Sequence, residues 1–87
     1  MENKVLIKLI VPELDTTFDV FVPVNELIWK ITKMLAKSIS DLSDTNFNNN
    51  KNYVLINKIN TKIYNSNEIV INTDIRNGTE LILISYQ

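Results

Sequence analysis

The sequence predicts an α+β fold, one mixed sheet of four to five strands curled around one helix. Three observations carry that reading: two β-patterned runs each closed by a proline, a single stretch of helical period, and a last β run entered through Asn77-Gly78. All of this occupies 87 residues, room for one hydrophobic core and not for two, because a domain usually takes on the order of 100 residues. Residues 1–87 are therefore read as a single domain, and no Gly/Pro/Ser-rich linker or internal repeat argues otherwise.

The first strand runs from Val5 to Val11, aliphatic apart from Lys8, and Pro12 ends it by removing an amide donor. Glu13-Leu14-Asp15-Thr16 forms a hairpin connection to a second strand, Thr17 to Val22, closed by Pro23. Between Asn25 and Ile39 the period changes: Leu27, Ile28, Ile31, Met34, Leu35 and Ile39 lie on one helical face. Asn25 suits the N-cap, with Glu26 just inside favouring the positive end of the helix dipole. Ser40 to Asn52, with Asp41, Asp44 and Asn48-Asn49-Asn50, reads as a solvated loop. Tyr53 to Ile56 and Thr61 to Tyr64 follow as two short strands around a turn at Lys58-Ile59-Asn60. Asn77-Gly78 then supplies a turn into the last strand, Glu80 to Ser85. A hairpin, a helix and further strands pack most economically as a β-grasp.

Composition narrows the chemistry. Cysteine and histidine are both absent, so disulfides, thiolate nucleophiles, thiolate zinc sites and imidazole acid–base catalysis are excluded. Asp15, Asp41 and Asp44 show no calcium-loop or paired-carboxylate spacing. No nucleophile has a partnered base, and the chain is read as a non-enzyme without catalytic, metal or cofactor-binding residues. Nine basic and ten acidic residues give a net charge of −1, which implies no nucleic-acid partner. The start, Met1-Glu2-Asn3-Lys4 and a short alternating run, does not suit a signal peptide. No stretch has the length of a membrane span, so a cytoplasmic protein without direct membrane insertion is expected. The glycosylation sequon Asn77-Gly78-Thr79 is explained by the turn.

The segment Ile75-Arg76-Asn77-Gly78-Thr79-Glu80-Leu81-Ile82-Leu83-Ile84 resembles the turn and final central strand of the ubiquitin-like superfamily. More narrowly, Tyr53-Val54-Leu55-Ile56-Asn57, the hairpin to Lys62-Ile63-Tyr64, and Trp29 in the helix resemble the YukD/EsaB family of bacterial ubiquitin-like proteins associated with type VII secretion. The resemblance implies a ubiquitin-like β-grasp and a non-covalent role beside type VII membrane or ATPase components. Modifiers and sulfur carriers of the superfamily need a C-terminal Gly-Gly. The sequence ends Ile84-Ser85-Tyr86-Gln87, which disfavours that alternative. A generic β-grasp scaffold with a partner outside secretion is the third reading.

Strand alternation divides core from surface. Phe18, Val20, Val22, Leu81 and Leu83 face the helix; Asp19, Phe21, Ile82, Ile84, Leu6, Lys8 and Ile10 face outward. Apolar groups on a wet face form a candidate protein-interaction patch, unless they are scattered or the loop after the helix covers them. Such a face would serve a homodimer as readily as a hetero-complex. Trp29 lies about 150° from the centre of the helix's apolar stripe, on the outer half with Lys30, Lys33 and Lys37. It is either a partner anchor or the N4 half of a hydrophobic staple with Val24, overlain by Lys33 as a cation–π pair.

Overall fold

The computed structural model describes residues 3–43, 47–48 and 50–86. Met1, Glu2, Asp44, Asn49 and Gln87, on which parts of the sequence reading fall, lie outside the described residues.

Strand β1 (Lys4–Val11) turns through a 3-10 segment (Pro12–Leu14) into β2 (Thr16–Pro23). Asp15, at φ 50°, takes the left-handed position of this turn, which a short acidic side chain tolerates better than most. The helix α1 spans Ile28–Leu42, followed by β3 (Asn52–Asn57), a 3-10 segment (Val70–Asn72) and β4 (Glu80–Tyr86). The sheet order is β2-β1-β4-β3. β1 and β4 pair in parallel at its centre, flanked by antiparallel pairs. Pro23 is tolerated at the end of β2 because β2 is an edge strand.

One face of the sheet and one face of the helix form the core. Ile7, Leu9, Val11, Val22, Leu55, Leu81 and Leu83 from the strands meet Ile28, Ile31, Leu35, Ala36 and Ile39 of α1. Phe18 and Val20 pack against this cluster, as the alternation of β2 requires. Buried Thr32 satisfies its hydroxyl by donating to the Ile28 carbonyl at 2.8 Å, the back-bond open to a threonine inside a helix.

Four sequence readings of the helix are corrected. Asn25 does not cap it: α1 begins three residues later, and Leu27 occupies the cap position without a side-chain bond. The cause is tertiary. The Ile28 and Trp29 amides donate to the Glu68 and Ser66 carbonyls at 2.8 and 3.1 Å, so a distant backbone segment fills the orphan donors that a polar side chain would otherwise satisfy. Glu26 consequently lies outside the first turn, its carbonyl accepting from Val70 at 3.0 Å. At the other end the helix continues past Ile39 to Leu42, and Met34, assigned to the apolar stripe, is exposed.

Thr61 to Tyr64 is not a strand. It contributes a single bridge, Ile56 to Ile63, because the tight turn before it holds Thr61 at φ 61° and the chain leaves the sheet edge after Tyr64. The Asn77-Gly78 turn stands: Gly78 has φ 88° and the Thr79 amide donates to the Arg76 carbonyl at 3.0 Å, the positive-φ third residue of a type II turn.

Candidate interaction surface

The outer face of the sheet can be assembled rung by rung from the strand register. Leu6 stands opposite Phe21, and both are exposed, Phe21 at 63%. The next rung is charged. Asp19, Lys8 and Glu80 are in register across β2, β1 and β4, and Lys58 continues it beyond β3. Lys8 lies 3.3 Å from Asp19 and Lys58 3.8 Å from Glu80, so the rung alternates in sign along its whole length. The third rung is apolar: Ile10 pairs with Ile82, Ile82 with Ile56, and Ile56 with Ile63. Four isoleucines thus stand in line, the last 61% exposed. Ile84 and Val54 form the rung above.

All seven candidates, Leu6, Lys8, Ile10, Phe21, Trp29, Ile82 and Ile84, are exposed or half-buried. Six of them share the outer face, but not one unbroken apolar patch. The Asp19–Lys8–Glu80–Lys58 rung separates the Leu6–Phe21 pair from the isoleucines. A row of desolvation-averse charges sets a border, so the larger apolar area is Ile10, Ile82, Ile56, Ile63, Ile84 and Val54. Val54, Ile56 and Ile63 were missing from the sequence reading. The alternation of Tyr53-Val54-Leu55-Ile56 carries the signal for the first two, since Tyr53 and Leu55 are buried. The bridge that places Ile63 beside Ile56 has no local signature. On the other side of the border, a shallow depression of about 460 Å³ lies against Leu6, Phe21 and Gly78.

Trp29 sits apart from this face, 43% exposed. With the cap at Leu27, Val24 and Trp29 do not occupy staple positions. The cation over the indole is Lys30, 5.7 Å from the ring centroid, and not Lys33. Lys30 also approaches Glu26, at 3.9 Å, and Lys37 approaches Asp41, at 3.6 Å.

Below the sheet edge a polar cluster ties the crossing segment to the turn after β3. The Tyr64 hydroxyl donates to Asp74 at 2.5 Å and accepts from the Asn57 side-chain amide at 3.0 Å. Asn57 in turn accepts from the Ile59 and Asn60 amides. Burial, and then the Asp74 hydrogen bond, push the Tyr64 phenol up to about 12. The same bond holds the Asp74 carboxyl below its usual value. Asn60 donates to the other Asp74 oxygen at 3.1 Å, so the cluster ties the crossing segment to the turn.

No family model and no curated protein matches this sequence; similarity appears among solved structures. A chain of the toluene 4-monooxygenase complex with the inhibitor 4-bromobenzoate superposes with a TM-score of 0.76 at 6% identity, covering 95% of this chain and 99% of that one. An N-terminal ubiquitin-like domain solved in solution gives 0.66 at 17% identity, covering 100% of this chain and 79% of that one. A chain of the ESX-5 inner membrane complex gives 0.66 at 12% identity, covering 98% of this chain but 22% of that one. At such identities the likeness establishes fold alone. The fold is the ubiquitin-like β-grasp, a mixed four-stranded sheet around one helix. The monooxygenase match carries no chemistry to this chain. No helix among the described residues is long and apolar enough to cross a membrane.

Proposed function

We propose that this chain is a single-domain, non-catalytic ubiquitin-like module that binds a partner protein through the isoleucine rung of its outer sheet face. It serves as a cytoplasmic adaptor or regulatory component of a type VII secretion system. The observation that carries the binding role is the alignment of Ile10, Ile82, Ile56 and Ile63, extended by Ile84 and Val54 and bordered by alternating charges. Such an arrangement has the apolar centre and polar rim of a protein interface. The secretion context is supported by the YukD/EsaB resemblance of Tyr53 to Ile84 and Trp29, and by the shared fold of the ESX-5 chain. A membrane or ATPase component of that apparatus is the partner class this reading names.

The test is affinity capture of the tagged chain from its native cells, with bound proteins and the chain's own intact mass read by mass spectrometry. Recovery of secretion-apparatus components, lost with Ile63→Ser and Ile84→Ser while both variants stay folded by circular dichroism, is the expected result. A covalently enlarged chain would overturn it in favour of a modifier. Reproducible capture of partners unrelated to secretion would leave a β-grasp scaffold of another pathway.

A further inference from the structure

We infer that the groove between α1 and β3 takes an extended, acidic-flanked apolar peptide of a partner protein, added as a strand to the β3 edge. This site is separate from the outer sheet face, and three observations converge on it.

First, a cavity of about 340 Å³ opens between the helix and the start of β3, with Ala36, Tyr53 and Tyr64 among its walls and Trp29, Lys33 and Lys51 beside them. Second, the β3 edge is partly unpaired there. The Lys58 amide bonds the Glu80 carbonyl, so by strand parity Asn52, Val54 and Ile56 address β4, and Tyr53, Leu55 and Asn57 address the open side. On that side Asn57 donates to Lys62, and Leu55 accepts from Tyr64. The short ladder then stops. The Tyr53 amide and carbonyl and the Leu55 amide have no partner among the described residues. An extended peptide would continue the ladder that residues 62–64 begin, the mode by which strands add to exposed sheet edges.

Third, the charged side chains lining the groove among the described residues are lysines, with Glu13 beside Tyr53 and Lys51 at one end. Lys33 and Lys51 line it, and among the described residues no Asp or Glu does, although the whole chain carries −1. Lys33 has no ion pair among the described residues, and Lys51 only an exposed approach to Glu13 at 3.9 Å. Two copies of this chain meeting edge to edge would bring these lysines together, whereas a peptide with carboxylates flanking its apolar centre would pair with them. The alternating apolar side chains of such a strand would lie against Tyr53 and the exposed indole.

The probe is a synthetic peptide of two Glu, a Val-Ile-Val-Ile centre and two Asp, compared with a version carrying Lys at all four acidic positions. Trp29 is the chain's only tryptophan, so its fluorescence reports occupancy, and amide hydrogen exchange reports the edge. The expected result is saturable binding with slowed exchange at Tyr53, since Tyr64 already stands opposite Leu55. The basic version should bind at least about ten-fold more weakly, and the paired substitution Lys33→Glu with Lys51→Glu should weaken the acidic peptide by about ten-fold, as two exposed charge contacts allow. Ile84→Ser on the outer face should leave binding unchanged, which separates this site from the one proposed above. Equal binding of the two peptides, absence of binding, or protection at the outer-face isoleucines instead of Tyr53 would overturn the inference. Concentration-dependent dimerisation that protects the Tyr53 amide would overturn it too, assigning the edge to a second copy.

Discussion

Replacing Tyr64 by Phe removes one oxygen from a site where it makes two bonds, and the ring stays, so no cavity opens. The hydroxyl donates to Asp74 at 2.5 Å, a bond to a charged acceptor, for which roughly 1.5 to 3 kcal/mol is typical. Asp74 is exposed, and water recovers part of that loss. Asn57 does worse. It is buried, and its side-chain amide loses its acceptor, which costs about 1 kcal/mol or more. Together these predict a destabilisation of about 2 to 3 kcal/mol. In urea, with a slope of roughly 1 kcal/mol per molar for a small domain, the unfolding midpoint should drop by about 2 M. The phenol's raised pKa, caused by burial before the Asp74 bond, adds a separate cost that applies only to ionising it in the folded state. A rise from 10.0 to about 12 corresponds to roughly 2 to 3 kcal/mol at about 1.4 kcal/mol per unit. Because the folded value is the higher one, that stability is complete below pH 10 and is lost as pH rises towards 12. Urea melts at neutral pH and at successive alkaline pH values, on the wild type and Tyr64→Phe, test both numbers. A midpoint shift equivalent to less than about 0.5 kcal/mol, or an alkaline loss equal in the two proteins, would refute the tether.

Asp74 titrates in the opposite sense. Its folded value is lowered, chiefly by the Tyr64 hydrogen bond, so its contribution is present above the ordinary carboxylate value and is lost as pH falls through the folded one. Asp74→Asn should therefore flatten the acid limb of stability, and should cost less in the Tyr64→Phe background than in the wild type, as a double-mutant cycle by urea unfolding would show. Gly78→Ala should destabilise by about 1 kcal/mol through backbone strain alone, since a Cβ there would touch nothing; a larger loss would mean the turn has collapsed, which the chemical shift of the Arg76–Thr79 turn would reveal. Thr61→Asn should stabilise by roughly 0.5 to 1 kcal/mol, because a β-branched residue at φ 61° is strained where asparagine is tolerated. A lower melting temperature for that variant would show that the Thr61 hydroxyl bond to the Asn60 carbonyl outweighs the strain.

The parts of this fold that depend on neighbours in sequence were legible there. The alternation of β1, β2 and β4 separates core from surface because one face is buried and the period is fixed at two; Val22 and Leu83 are buried, and Phe21 is exposed. The misreadings share a cause, which is backbone supplied from far along the chain. Asn25 looks like a cap, yet the Ser66 and Glu68 carbonyls reach the helix first. Thr61 to Tyr64 has strand composition, but nothing among the described residues continues its ladder beyond Tyr64. The candidate face was legible in membership and not in arrangement. Which residues point outward follows from each strand alone, whereas the charged rung that divides them, and the addition of Ile63, follow from register between strands. The open edge at Tyr53 was invisible for the same reason, being defined by the lack of partners among the described residues.

The parallel pairing of β1 with β4 fixes when this chain can become itself. During synthesis β1 and β2 emerge first and can close their hairpin, but the strand that lies between β1 and β3 is the last to appear. The carbonyls that finish the first turn of α1 also arrive late, from residues 66 and 68. Until then the apolar faces of hairpin and helix have no sheet centre to close against, and loop closure across nearly the whole chain must precede the contacts that reward it. A chain truncated before Glu80 is therefore expected to present those faces to chaperones and proteases.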